Sequence, residues 1–387
     1  MDIKKLAKEY EEYIINMRRD FHQNPEPSWE EYRTTEVIER ELNSLGIETK
    51  RLRRTGVVGI LKGKKKGQAI ALRADIDALS IKENTNLSFK SKNQYMHACG
   101  HDCHAAMLLG AAKILSNIRE ELRGDVKFIF QPAEESCIGA KVIIEEDKVL
   151  DGVDGIFGMH IWGNLQSSKF NIEKGPRMAS ADTFKIIIKG KASHGSTPNL
   201  GIDAVLVASA VVMNLQSIVS RNINPLEPVV ITVGTINGGD RFNIIANEVV
   251  MEGTTRAFSK EVRNSLEKKM RDVIESTAKT YGAEGILEYN YCPAPVINED
   301  QLTDLAVSSA KKLYGEDSLI PMEKIMVGED FTFYMNEVPG TFVFLGGGNE
   351  KLGIYPNHSD KFMIDENALH MGAALYAQFA VDFLNFK

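Results

Sequence analysis

Cysteine is scarce in this chain: four residues, at positions 99, 103, 137 and 292, among 387. So few thiols over that length exclude a disulfide framework. Long apolar runs are missing too. No stretch reaches the roughly 18 consecutive apolar residues of a membrane span, so none is expected. An excess of positive charge is absent, because 53 acidic residues outweigh 46 Lys and Arg for a formal net charge of −7. That balance excludes a general nucleic-acid binder and leaves room only for a local basic pocket that holds a small anion. The opening segment, MDIKKLAKEYEEYIINMRRDF, lacks the apolar core and small-residue cleavage site of a secretory signal. A cytoplasmic protein with neither nucleic-acid nor membrane partners is therefore expected. Internal repeats and low-complexity tracts are lacking as well.

What remains is ordinary globular material, 43% apolar and 26% charged, at a length that calls for two domains. Residues 1–50 read as two helices separated by Pro25 and Pro27. GVVGILKG and AIALRADIDAL come next as β-rich stretches. HAAMLLGAAKILSNIREEL (104–122) has helical spacing, and DVKFIF (125–130) and GIFGMHIW (155–162) are further short strands. Strands alternating with helices predict the α/β class: a mixed, largely parallel sheet with helices on both faces. The character changes near residue 181. TFKIIIKGK is a strand, DAVLVASAVVMNLQSIV a helix with Asp203 as N-cap, and PVVITVGTI and NEVVMEGTTRAF are strands. KEVRNSLEKKMRDVIESTAKTYG is a helix ending at Gly282, and EGILEYNY a last strand. The order β-α-β-β-α-β is the split βαβ pattern of a ferredoxin-like α+β domain. Residues 181–294 are thus predicted to be inserted into a catalytic domain made of residues 1–180 and 295–387. The latter part resumes with a helix over 299–314, the strand TFVFLGGG and a last helix over about 365–385.

Residues 97–104, HACGHDCH, hold three histidines, two cysteines and an aspartate, although the whole chain has only eight histidines. In an open α/β sheet, ligands gather beyond the carboxyl ends of the strands, so the residues just past each predicted strand matter. DVKFIF leads into QPAEE (131–135), and GIFGMH ends in His160. TFVFLGGG leads to a loop with YPNHSD and His358, and AIALRADID to Asp75 and Asp77. Taken singly, a strand-end His is usually hydrogen-bonded structure, and adjacent Glu134 and Glu135 are usually solvated surface. Together, separate segments deliver His, Cys and Glu to one sheet edge, which points to a metal centre. Cys99, His101, Glu135, His160 and His358 make five ligands for two divalent ions, with Cys99 able to bridge both. Imidazole, carboxylate and thiolate together suit zinc, manganese, cobalt or nickel. Two such ions polarise a carbonyl and activate water. Glu134, beside a ligand without being one, can take the proton. A redox pair of Cys99 and Cys103 is poorly held by one turn of helix. A structural zinc on Cys99, His101, Cys103 and His104 departs from the usual spacing and leaves His160 and His358 unexplained.

LRADIDAL, MHACGHDCHAAMLLGAA, FIFQPAEE, GMHIW, GEDFTFYM and PNHSDKF together resemble the metal-dependent amidohydrolases. That family includes aminoacylase, hippurate hydrolase and the indole-acetyl-amino-acid hydrolases, with glutamate carboxypeptidases as more distant relatives. The resemblance runs in order from about residue 14 to the end, and includes the insert through KASHGSTPNLGIDAV and FNIIANE. It implies hydrolysis of an N-acyl-L-amino acid to a carboxylate and a free amino acid, and a satellite domain that mediates homodimerisation. It puts Cys99, His101, Glu135, His160 and His358 on metal-binding positions and Glu134 on the general acid/base. It puts His194, in SHGSTP, on a histidine that reaches a partner subunit's active site and stabilises the oxyanion. Asn243 and Arg256 fall on positions that hold the substrate carboxylate. Asp75-Ile-Asp77 stands where the distant peptidases carry His-x-Asp, as the amidohydrolase branch does. IWGNLQSSKF, after His160, lacks the prolines of the family's substrate wall. Two other readings stay open: a dipeptidase or carboxypeptidase using the same site, and a non-catalytic metal-binding descendant, against which Glu134 speaks.

Overall fold

The computed structural model describes residues 2–386. The chain divides into two compact units. One comprises Met1–Gly175, Ile297–Glu323 and Asp330–Lys387; the other comprises Pro176–Val296 and Lys324–Glu329.

The first unit is built on a seven-stranded sheet, in the order Glu48–Arg51, Val57–Leu61, Gly124–Gln131, Gln68–Asp75, Gly155–Gln166, Gly340–Gly348, Phe170–Asn171. Its four inner strands, from Gly124–Gln131 to Gly340–Gly348, run parallel, and the flanking pairs are antiparallel. The inner strands are near-continuous apolar runs rather than alternating ones because both faces are covered; Gly340–Gly348 is buried at every position. The helices His101–Asn117 and Leu369–Asn385 are buried nearly all round and pack on each other. Gly110 permits that approach, since a Cβ there would stand 2.7 Å from Ile14 and 3.0 Å from Ala373. The N-terminal region forms three helices, Ile3–Glu9, Glu11–Gln23 and Tyr32–Ser44, where two were expected. The chain breaks at Tyr10 (φ −95°, ψ 6°), a residue type that does not announce a turn.

The second unit is a four-stranded antiparallel sheet in the order Val229–Gly238, Glu248–Ala257, Asp182–Lys189, Glu284–Asn290. The helices Ala204–Ser217 and Lys260–Thr280 share its core. Sequence order and strand order together are ferredoxin-like. Asp203 caps its helix by accepting from the N–H groups of Val205 and Leu206, and Gly282 sits just past the second helix at φ +75°. The unit spans more than residues 181–294. Ser180 N–H donates to the Ala257 carbonyl at 2.8 Å, Ala179 N–H to the carbonyls of Ile325 and Val327, and Ile325 N–H to that of Arg177, so residues 176–180 join the unit and 324–329 are stitched to them. The helical stretch Ala204–Asn222 is long and apolar enough, by length and composition, to cross a membrane, with a mean hydropathy of 1.5. Polar residues such as Ser209 and Gln216 interrupt it, so no unbroken apolar run reveals it. Its Ala204, Val207, Ala208, Val211 and Leu215 are buried in this unit's own core, while Val205, Leu206 and Met213 are exposed.

Candidate active site and metal centre

Beyond the strand Gly124–Gln131, Ala133 turns the chain in the left-handed region (φ 57°, ψ 39°) into a single 3-10 turn, Glu134–Ser136. Strain of this kind costs about 1–3 kcal/mol and persists only where the surroundings impose it. Here three consecutive backbone N–H groups are taken by buried carboxylates. Ala133 donates to Glu31 Oε1 at 2.8 Å, Glu134 to Asp77 Oδ1 at 3.1 Å and Glu135 to Asp77 Oδ2 at 3.1 Å.

The helix His101–Asn117 begins after Gly100 (φ 94°), where a Cβ would lie 2.5 Å from Ile161, and this sets Cys99 and His101 at its N-terminus. His160 lies within the strand Gly155–Gln166 rather than at its end, paired with Phe344. The pairing of that strand with Gln68–Asp75 stops at Arg73–Gly158, so the two strands part before Asp75 and His160. His358 (φ 69°) is pinned to the cysteine segment, its N–H donating to the Ala98 carbonyl at 2.8 Å while Asn357 Nδ2 donates to the Cys99 carbonyl at 3.1 Å.

These elements bring all five expected ligands and Glu134 together. Cys99 Sγ is 3.4 Å from His160 Nε2, and Glu135 Oε1 is 3.4 Å from His358 Nε2 and 3.9 Å from His101 Nε2. Donor atoms lie within 4.8 Å of one another in each of three groups: Cys99, His101 and His160; Cys99, Glu135 and His358; His101, Glu134 and Glu135. His101 Nδ1 donates to the Asp77 carbonyl at 2.9 Å, and His160 Nδ1 to the Ile161 carbonyl at 2.6 Å. A carbonyl only accepts, so these bonds place the proton on Nδ1 and leave each Nε2 lone pair for the cluster.

The residues fit a metal pair. His101 Nε2 and Glu135 Oε1 are buried without a hydrogen-bond partner, and the donor set is thiol, imidazole and carboxylate. The electrostatics ask for positive charge. His358 is pushed up to about 10 by its contacts with Cys99 and Glu135. Burial opposes charge on His101, yet Asp75 and Cys99 outweigh it and raise that imidazole. Burial and then Glu135 push the Cys99 thiol up, the opposite of what a cation would do to it.

Cys103 stays outside these groups among the described residues, buried in the apolar core. His104 bonds Asp75 through Nδ1 and accepts the Ile161 N–H at 2.8 Å through Nε2. A structural site on Cys99, His101, Cys103 and His104 therefore does not assemble. His194, Asn243 and Arg256 belong to the second unit. His194 and Asn243 share a small ribbon: His194 pairs with Ile244, and Gly195 N–H donates to the Asn243 carbonyl at 2.8 Å. His194 is exposed, and its Nδ1 accepts the Ser196 N–H at 3.1 Å. Arg256, on the strand Glu248–Ala257, donates to Thr254 Oγ1 and, at 3.0 Å, to the Thr255 carbonyl. Nothing in the sequence points to Glu31; Asp77 is named there without a role, and His104 only as a ligand of the structural zinc that does not assemble. Asp77 at least lay just past a strand, whereas Glu31 lies in a loop before the third helix.

The profile of peptidase family M20/M25/M40 matches residues 71–382. Thermostable carboxypeptidase 1 of Saccharolobus solfataricus is 41% identical, the match covering 99% of this chain and 98% of that one. N-acetylcysteine deacetylase of Bacillus subtilis is 42% identical over 95% of this chain and 96% of that one. A solved Bacillus subtilis structure, described as a dinuclear metal binding peptidase from the M20 family, superposes with a TM-score of 0.88 at 38% identity. It covers 98% of this chain and 100% of that one.

Proposed function

This chain belongs to peptidase family M20/M25/M40, and from that premise we propose that it hydrolyses the amide bond of N-acyl-L-amino acids, releasing a carboxylate and a free amino acid. The observation that carries the reading is the different surroundings of two adjacent carboxylates on one strained turn. Glu135 Oε1 approaches His358 and His101, whereas Glu134 Oε1 accepts the Asp330 N–H at 3.4 Å. Cys99, His101, Glu135, His160 and His358 would hold two divalent cations, of zinc, manganese, cobalt or nickel. When bound, such a pair supplies Lewis acidity toward the amide carbonyl and makes water more acidic. Glu134 then removes a proton from the attacking water and passes it to the leaving amine. His194 donates to the developing oxyanion. Its Nδ1 accepts the Ser196 N–H, so the neutral ring carries its proton on Nε2 as a donor. Asn243 and Arg256 hold the substrate carboxylate. Glu134 has no use in a protein that merely stores metal.

A peptidase reading uses the same groups, and the 41% identical carboxypeptidase favours it. Turnover of acetyl- and benzoyl-amino acids is expected to exceed that of dipeptides and of N-blocked peptides by at least tenfold in kcat/KM. The reverse order would replace the amidohydrolase reading with the peptidase one.

The second unit also supports a homodimer. Its helix exposes Val205, Leu206 and Met213, and Val229–Gly238 is an edge strand of its sheet carrying exposed Ile236. A second copy covers such a face and edge best.

A further inference from the structure

The turn that carries both glutamates is held by a residue 102 positions upstream. We infer that Glu31 is a positioning residue, which fixes the aim of Glu134 and Glu135 without touching either side chain; this rests on the roles proposed for those two. Glu31 is fully buried, at 0% exposure. Its Oε1 accepts the Ala133 N–H at 2.8 Å and its Oε2 accepts Thr55 Oγ1 at 2.5 Å. Its carbonyl accepts Thr35 Oγ1 at 2.6 Å, and that hydroxyl accepts the Gly56 N–H at 2.8 Å. The segment before it is anchored as well. Glu26 takes the N–H groups of Arg33 and Thr34 at 2.9 and 2.8 Å, its carbonyl takes that of Ala78 at 2.9 Å, and Ser28 Oγ donates to Asp77 Oδ2 at 2.7 Å.

Two non-glycine residues flank the turn in the left-handed region, Ala133 just before the glutamates and Cys137 after them, and Glu31 takes the N–H of the first. Remove that acceptor, and the N–H is buried without a partner while only the two Asp77 contacts, one and two residues on, still hold the turn, so the positive φ of Ala133 is less firmly imposed. The backbone then relaxes, and both carboxylates, one and two residues on, swing with it. Asp77 holds the same turn but its Oδ1 also lies 3.2 Å from His101 Nδ1, so loss of that side chain would disturb a ligand directly. The Glu31 carboxylate hydrogen-bonds the Ala133 backbone and the hydroxyl of Thr55, neither of them part of an expected ligand, which makes it the cleaner probe.

The experiment is a cycle of Glu31→Ala and Ala133→Gly, with Glu134→Gln as control. Zinc and manganese affinities are read by chelator competition, and kcat and KM on an N-acetyl amino acid at saturating metal. Glu31→Ala is expected to weaken metal binding and lower kcat, each at least tenfold, with KM within about threefold. Glycine adopts the left-handed conformation without penalty, so adding Ala133→Gly is expected to restore part of both losses. A merely structural role predicts no such rescue. If Glu31→Ala does not fold, Glu31→Gln, which keeps the shape and removes one acceptor, carries the same readouts. Wild-type metal affinity in a folded Glu31 variant, or losses that Ala133→Gly leaves untouched, overturns the inference. An active Glu134→Gln overturns the proposed chemistry instead, and the metal affinities still decide the part played by Glu31.

Discussion

Cys99 and Cys103 are the same residue type four positions apart, and their surroundings give them opposite fates. Cys99 Sγ lies 3.4 Å from His160 Nε2 within the donor cluster, while Cys103 is packed in the apolar core. Cys99→Ser exchanges a soft thiolate for a poor hydroxyl ligand and is expected to lose at least one equivalent of metal, measured by elemental analysis. Cys103→Ser is expected to keep both equivalents and to lose about 1–3 kcal/mol of stability in urea unfolding, from burying a hydroxyl. Equal metal loss from the two would revive a structural site containing Cys103. The clustering of Cys99, His101, Glu134, Glu135, His160 and His358 was legible in the sequence because side chains able to hold a metal recur just past several predicted strands. The part Glu31 and Asp77 play in holding the glutamate turn was not, because there they bind backbone N–H, which every non-proline residue offers and which no spacing rule reveals.

The helix His101–Asn117 carries ligands at its first turn, and its position depends on a charge buried there. Asp102 accepts from Arg18 Nε and from His22 Nδ1, both at 2.8 Å, and Glu366 makes a second ion pair with Arg18 at 3.1 Å. Burial opposes charge on Asp102, but Arg18 and then His22 outweigh it and hold the carboxyl far below its ordinary range. A folded-state value below the unfolded one gives stability that is present above about pH 4 and lost as pH falls. In chelator-treated protein, Asp102→Asn is expected to cost about 3 kcal/mol at pH 7, the low end for breaking a buried pair, because Glu366 still faces Arg18. The gap should narrow in urea titrations below pH 4; a gap constant from pH 7 to pH 3 contradicts the pairing. Element types were legible wherever the period was clean, as in the ferredoxin-like order and the Asp203 cap. The break at Tyr10 was not, since no glycine or proline marks it. Nor was the continuation of Gly155–Gln166 past Trp162, where Gln166 pairs with Gly348 of a distant strand.

At the scale of the molecule, a chain of alternating strands and helices interrupted by β-α-β-β-α-β is enough to announce an inserted unit. The stitching of residues 324–329 to that unit is a tertiary contact with no local signature. The exposed Val205, Leu206 and Met213 are expected to be covered in a homodimer. Leu206→Asp with Met213→Glu should give a folded monomer by sedimentation, whereas an unchanged sedimentation coefficient would put the interface elsewhere. Turnover by this chain is expected to depend on bound metal and on Glu134 as the proton carrier. The most direct measurement determines bound metal and kcat together, on an N-acetyl-L-amino acid, for the wild type, the chelator-treated protein and Glu134→Gln. The expected result is two equivalents of metal in both wild type and Glu134→Gln, no turnover after chelation that returns on reloading, and a kcat for Glu134→Gln lower by about 10²–10⁴, the usual worth of a general acid/base. Glu134→Gln turning over at the wild-type rate with its metals in place would contradict the account.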